Sequence, residues 1–139
     1  MIQIIAGEKG KGKTKILIEK ANTAVKEAKG SIIYLDKNNK HMYELSNKIR
    51  LINVKDYFID NYSEFLGFIC GLISQDHDLE AVYLDSFLRI ANTESSNVLL
   101  LLEKLEHISN EFHIDFVISI SLNEIDLPES VKKNIIVSL

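Results

Sequence analysis

Eight residues near the start of the chain, Gly7-Glu8-Lys9-Gly10-Lys11-Gly12-Lys13-Thr14, have the types and the spacing that phosphate binding requires. They fit the pattern G-x-x-x-x-G-K-[ST] at every position. Glycines let the backbone turn so that successive N–H groups point at an anion, and a following helix presents its positive end to the same anion. We expect Lys13 to reach the β- and γ-phosphates of a nucleotide and the Thr14 hydroxyl to ligate Mg²⁺.

A second element, Ala81-Val82-Tyr83-Leu84-Asp85, places a carboxylate directly after four largely apolar residues. This pattern predicts a buried strand that ends at Asp85, where the carboxylate could hold Mg²⁺ through a water. The alternative is an aspartate that only ends the strand or caps the next turn. Beside the glycine-rich loop the metal role is favoured, so Thr14 and Asp85 are the predicted metal residues.

Strands and helices are predicted to alternate along the chain. Strands are expected at 2–6, 31–35, 49–54, 81–84, 116–120 and 135–139, and helices at 13–28, 62–73 and 96–112, whereas residues 41–48 are ambiguous and could form a short helix. Such alternation indicates an α/β fold with a mostly parallel sheet and helices on both faces, built as a single domain over residues 1–139. Ligands bind such sheets at the carboxyl ends of the strands, where the loop, Asp36, Asp85 and Ser121 are all predicted to lie.

The two motifs resemble the Walker A and Walker B elements of the P-loop NTPase superfamily, and the pattern is most similar to its RecA-like branch. There, too, a strand ending in Asp follows the first helix, as at Ile32-Ile33-Tyr34-Leu35-Asp36, and Ser often follows the second Asp, as at Asp85-Ser86. The resemblance implies a three-layer αβα core with a five-stranded sheet in the order 5-1-4-3-2, with one extra edge strand as an option. It also implies ATP or another NTP, and Mg²⁺, as cofactors. The chain is similar as well to small stand-alone bacterial ATP-binding proteins.

Relatives in this branch use a Glu to polarise the attacking water, and this sequence departs from them. Ser86 stands at one of the two usual positions and Asn38 at the other. Asp36 is the nearest carboxylate, and Glu44 is a second option. Together with Lys13, Asp36 is therefore a predicted catalytic residue.

A polar sensor on the fourth core strand is also implied by the resemblance. Ser119 and Ser121 are both candidates, with Asn123 slightly beyond, and Ser121 is favoured as the third predicted catalytic residue. The chain has only two arginines, Arg50 and Arg89, so an arginine finger must be one of them or come from a partner.

The predicted nucleotide-binding residues are Gly7, Glu8, Lys9, Gly10, Lys11, Gly12, Lys13, Thr14 and Lys15. Residues 1–30 hold seven Lys and three Glu, hence +4, and because the whole chain carries −4, the remainder carries −8. A basic pole beside an acidic body can attract a triphosphate. The net negative charge argues against nucleic acid as a partner.

A cytoplasmic location is predicted. No apolar run is long enough to cross a bilayer, and the apolar residues 2–6 are too short for a signal-peptide core and lack a basic leader. The single Cys70 suits a reducing compartment and is interpreted as a core residue. The four histidines are scattered without metal-ligand spacing.

The leading functional interpretation is a Mg²⁺-dependent ATP-binding protein with weak or partner-stimulated ATPase activity. The alternative is a nucleotide-dependent switch that binds a partner without turnover, and a small-molecule kinase ranks third. Residues 87–90 either expose apolar surface to a partner or pack as an amphipathic turn. A core stripe accounts for three or four residues of the apolar run 98–102, and the remainder could contact a second copy. A homo-oligomer or a protein partner is therefore an option.

Overall fold

Six parallel strands form the sheet on which every other element packs. The computed structural model describes residues 1–139. The strands are β1 (Ile2–Ala6), β2 (Ser31–Asp36), β3 (Arg50–Asn53), β4 (Leu79–Leu84), β5 (Asp115–Ile120) and β6 (Ile135–Ser138). Their order is β3-β2-β4-β5-β1-β6 and each of the five pairings is parallel. All six strands therefore end at the same edge of the sheet, as the α/β prediction required.

The sheet has six strands, which the option of one extra edge strand allowed, and their order differs from the predicted 5-1-4-3-2. The additional strand is β3, which pairs only with β2, through Ile33↔Arg50 to Asp36↔Asn53. Leu51 and Ile52 of β3 are apolar, and Ile52 is buried. Burial of these side chains favours the position of β3 beside β2. Because β3 is counted, every later strand has a number one higher than in the predicted five-stranded order.

Four helices connect the strands: α1 (Lys13–Glu27), α2 (Tyr62–Gln75), α3 (Phe87–Ile90) and α4 (Val98–Phe112). The start of α2 shows why such a helix begins where it does. The Asn61 side chain accepts a hydrogen bond from the Glu64 backbone N–H at 2.9 Å, and the Glu64 side chain accepts one from the Asp60 backbone N–H at 2.7 Å. None of the helices is both long enough and apolar enough to span a bilayer.

The helices cover both faces of the sheet because strand side chains alternate between two cores. In β1, Ile5 belongs to the core that contains Leu17 and Ala21 of α1. Its neighbour Ile4 belongs to the larger core formed with α2 and α4. In β2 and β4, the tyrosines Tyr34 and Tyr83 face the α1 side. The aspartates that follow them two residues later share that face by the same alternation.

Three ambiguous segments of the sequence have definite structures. Residues 41–48 form turns and not the short helix that was one option; the Asn22 side chain on α1 accepts from the Ser46 backbone N–H and donates to the Glu44 carbonyl. Residues 87–90 form α3, whose Phe87 and Ile90 are buried. In the run 98–102, Leu99 and Leu100 are exposed and the other three residues are buried.

Cys70 is exposed, so its assignment to the core is wrong.

Candidate functional site

The glycine-rich loop, residues 7–14, turns the chain from the end of β1 into the start of α1. Gly10 and Gly12 have φ values of 87° and 94°, a region that side-chain-bearing residues rarely adopt. Gly12 is the residue immediately before the first turn of α1, and it has no side chain to cap that turn. The first backbone N–H groups of α1 are therefore free to face a ligand, which is the anion-binding arrangement that the sequence predicts.

Lys13 is buried, with 8% of its surface exposed, and its ammonium group donates to the Glu8 carbonyl oxygen over 2.9 Å. This hydrogen bond joins a residue near the end of the glycine-rich loop to one near its start. Burial lowers the pKa of Lys13, the Asp85 carboxylate opposes that shift, and the Lys37 ammonium adds to it. Lys13, Lys37 and Asp85 lie together at this edge of the sheet, where all three line one cavity.

A cavity of about 370 Å³ opens directly above the loop. This volume lies within the usual range for small-molecule sites. Only one of its twelve lining residues, Leu88, is hydrophobic. The lining comes from the loop (Lys9, Gly10, Gly12, Lys13, Thr14), from the strand ends (Lys37, Asp85, Ser119, Ser121) and from the start of α3 (Ser86, Leu88, Arg89).

The other predicted nucleotide-binding residues lie around the cavity without lining it. Gly7 is buried at the end of β1, whereas Lys11 and Lys15 are exposed. Glu8 is also exposed, and its carboxylate accepts a hydrogen bond from the Asn123 amide at 3.0 Å. That contact ties the loop to the segment after β5.

Asp85 is buried (2% exposed) and accepts hydrogen bonds from three other elements. Its Oδ1 accepts from Thr14 Oγ1 at 3.2 Å and from Ser119 Oγ at 2.6 Å. Its Oδ2 accepts from the Tyr34 hydroxyl at 2.8 Å. The Ser119 hydroxyl oxygen also accepts a hydrogen bond from the Ser86 backbone N–H at 2.9 Å. Thr14 and Asp85, the two predicted metal residues, are therefore in contact, within a larger network of hydrogen bonds.

Asp36 is equally buried, at 2% exposed, but it has far fewer partners. Its Oδ1 accepts from the Lys37 backbone N–H at 2.7 Å, and its Oδ2 has no hydrogen-bond partner. Burial, followed by the Asp85 charge, raises the pKa of Asp36 to about 6. Asp36 does not line the cavity. The structure thus places Asp36 at the same edge of the sheet as the loop, but not among the residues that line the cavity.

The two serine candidates differ in position. Ser121 is exposed at the cavity, whereas Ser119 is only 1% exposed and contacts Asp85. Glu44 is exposed and paired with His41 in the segment between β2 and β3. It does not line the cavity.

Sequence reasoning missed two residues of the site, Tyr34 and Lys37. It named Arg89 only as one of two candidates for an arginine finger, and the structure places Arg89 at the cavity. Lys37 directly follows β2, and Arg89 lies in the short helix α3, which begins two residues after Asp85. The position of each residue shortly after the end of a strand was the sequence feature that could have indicated its place in the site. Arg50, the other arginine, lies on the edge strand β3 and lines a different groove. Neither Lys37 nor Arg89 forms a salt bridge within the chain.

The arrangement suits a polyphosphate with a divalent cation. Lys9, Lys13, Lys37 and Arg89 provide positive charge around a cavity that contains one carboxylate, which favours an anionic ligand. The Thr14 hydroxyl and the Asp85 carboxylate meet at its floor, and oxygen donors of this kind are the ligands that Mg²⁺ prefers. No group of three or more His, Cys, Asp or Glu side chains is placed to hold a metal ion.

No protein-family model matches the chain, and a search of curated proteins finds no match.

Proposed function

We propose that the protein is a P-loop nucleotide-binding protein of the RecA-like type that binds ATP with Mg²⁺ and hydrolyses it slowly or when a partner stimulates it. The observation that carries the proposal is the contact of Thr14 with Asp85 at 3.2 Å, beside the buried Lys13. It joins the glycine-rich loop to the end of β4, two strands away from β1 in the sheet. An ordinary glycine- and lysine-rich turn on the surface would not be expected to contact a buried aspartate at the end of another strand.

The topology supports the same class. If the edge strand β3 is set aside and the remaining five strands are numbered along the chain, their order is 5-1-4-3-2. This is the order implied by the resemblance to RecA-like proteins. The strand inserted between the loop strand β1 and the Asp85 strand β4 is β5, which carries Ser119.

Each residue has a role that follows from its position. The loop N–H groups and Lys13 would bind the phosphates, and Thr14 with Asp85 would hold the Mg²⁺. Bound Mg²⁺ would neutralise phosphate charge as the phosphoryl group is transferred. Ser121, at the cavity surface, would contact the terminal phosphate, and Asp36 is the candidate for accepting a proton from water. Asp36 does not line the cavity, so the proposal expects slow turnover unless a partner brings a better-placed group to the water.

A nucleotide-dependent switch without turnover is the second candidate. The observation that favours it is that Asp85, committed to three hydrogen bonds, is the only carboxylate lining the cavity. Position 86, where many ATPase families of the RecA-like branch carry the catalytic glutamate, is a serine with left-handed backbone geometry (φ 54°, ψ 55°). In this case α3, which follows Ser86, would transmit nucleotide occupancy to a partner.

ATP binding to the purified protein, measured calorimetrically with Mg²⁺, tests the proposal. Lys13→Ala is expected to abolish binding that is micromolar in the wild type, since it removes the buried cation of the loop. Lys26→Ala is the matched control, because Lys26 is exposed in the last turn of the same helix. Equal ATP affinity of Lys13→Ala and Lys26→Ala would contradict the proposal. Phosphate release in the same samples separates the ATPase from the switch.

A further inference from the structure

One buried hydrogen bond of the site involves a residue with no role in the proposed function. The Tyr34 hydroxyl donates to Asp85 Oδ2 over 2.8 Å, and the Tyr34 side chain is completely buried. Tyr34 lies on β2 and Asp85 follows β4, so the bond crosses between neighbouring strands. A buried phenol without a partner is costly, and so is a buried carboxylate, which means that each group stabilises the other.

The neighbourhood of Tyr34 leaves its hydroxyl little freedom. Its ring stacks on that of Tyr83 with centroids 6.4 Å apart and planes at 6°. Burial, followed by the charge and the hydrogen bond of Asp85, raises the pKa of Tyr34 well above its ordinary value. The stacked ring and the buried hydrogen bond therefore hold the Tyr34 hydroxyl beside Asp85.

The donors around Asp85 are divided between its two oxygens. Thr14 and Ser119 donate to Oδ1, whereas Tyr34 donates to Oδ2. An ionised carboxylate offers about four acceptor positions in its plane, so three are occupied. Without Tyr34, Oδ2 has no protein donor and the carboxylate can rotate about its Cβ–Cγ bond.

We propose that Tyr34 is a positioning residue that fixes the rotation of the Asp85 carboxylate, so that Oδ1 faces the Thr14 hydroxyl and the pair is ready for Mg²⁺. This inference rests on the proposed function, because the orientation of Asp85 matters to a metal only if the loop binds a Mg²⁺–nucleotide complex. Tyr34 acts through Asp85 and does not line the cavity.

The chain contains a matched control for Tyr34. Tyr34-Leu35-Asp36 and Tyr83-Leu84-Asp85 are the same tripeptide on adjacent strands, and Tyr34 pairs with Tyr83 in the parallel register. The Tyr83 hydroxyl contacts only the Lys20 carbonyl, at 3.5 Å. Tyr83→Phe therefore removes the same atom from the same stack without touching Asp85.

ATP affinity is measured for wild type, Tyr34→Phe and Tyr83→Phe, in EDTA and across a series of Mg²⁺ concentrations. Tyr34→Phe is expected to leave the affinity in EDTA unchanged and to weaken it by about tenfold at saturating Mg²⁺, the size of one hydrogen bond to a charged group. Tyr83→Phe is expected to match wild type in both conditions. In an Asp85→Asn background, Tyr34→Phe should add no further loss, since its route to the metal is gone.

Two results would overturn the role of Tyr34 while leaving the proposed function standing. One is a wild-type Mg²⁺ response in Tyr34→Phe, and the other is an equal loss in EDTA and in Mg²⁺, which would indicate a merely structural hydroxyl. Unchanged affinity in EDTA also verifies that the variant is folded. If wild type binds ATP no better than Lys13→Ala, the proposed function fails, and the role of Tyr34 is overturned with it.

Discussion

Asp36 and Asp85 end neighbouring strands, follow the same dipeptide Tyr-Leu and are each 2% exposed, yet their surroundings differ. Three side chains from three other elements donate to Asp85. Asp36 receives one backbone N–H, and one of its oxygens has no partner. The local sequence is the same, so the difference comes from what lies beside each strand.

The neighbours of the two strands explain the contrast. β4 lies between β2 and β5, so Asp85 is flanked by Tyr34 on one side and Ser119 on the other, with Thr14 of α1 above. β2 has the edge strand β3 as its outer neighbour, and β3 ends at Asn53. The Asn53 side chain accepts from the Lys55 backbone N–H and does not reach Asp36. A buried carboxylate thus gains donors in the middle of the sheet and lacks them near its edge.

The largest expected effect is from Asp85→Asn. The amide places donor hydrogens where three hydroxyl donors now converge, so some of these groups lose their partner. We expect the free energy of unfolding to fall by roughly 2–3 kcal/mol. Urea denaturation of the nucleotide-free protein measures this. A variant as stable as wild type would show that the three hydrogen bonds do not hold Asp85.

Asp36→Asn is expected to act in the opposite direction. The folded protein raises the pKa of Asp36 to about 6 from 3.8, so the folded state binds the proton more tightly. Wild-type stability should therefore decrease as pH rises from about 4 to 6, and the cost is fully present above that range. Asp36→Asn should raise the free energy of unfolding by about 1–2 kcal/mol at pH 8, after allowance for screening near the sheet edge. At pH 4 it should leave the free energy of unfolding almost unchanged.

Urea denaturation of wild type and Asp36→Asn at a series of pH values checks this second expectation. The difference between the free energies of unfolding of the two proteins should increase as pH rises from about 4 to 6 and should stay constant above that range. If the difference is constant with pH, the unpartnered oxygen of Asp36 is not a source of instability, and the contrast with Asp85 disappears.

The smallest expected effect separates the two serines. Ser119→Ala removes one donor from Asp85 Oδ1 and should cost about 1 kcal/mol of stability. Ser121→Ala should change stability by less than about 0.5 kcal/mol, because Ser121 is exposed at the cavity. Thermal unfolding of both variants without nucleotide measures the difference. Equal shifts would mean that Ser119 is not part of the support of Asp85.

Much of the fold could be predicted from the sequence because its signals are local. Apolar periodicity located the strands and the three longer helices, and the glycine spacing located the loop between β1 and α1. The sheet order could not be read in full, since the place of β3 depends on its pairing with β2. The segment 41–48 carries no periodic pattern, and its structure depends on the contacts of Asn22 on α1.

Residue types and spacing by themselves determined the phosphate-binding pattern at Gly7–Thr14, the strand-end positions of Asp36 and Asp85, and the α/β class, because each depends on neighbours along the chain. Tertiary structure alone decided which carboxylate is surrounded by donors, which serine supports it, and that Tyr34, Lys37 and Arg89 belong to the site. Those facts depend on which strands lie side by side, and residues such as Tyr34 and Asp85 are 51 positions apart along the chain.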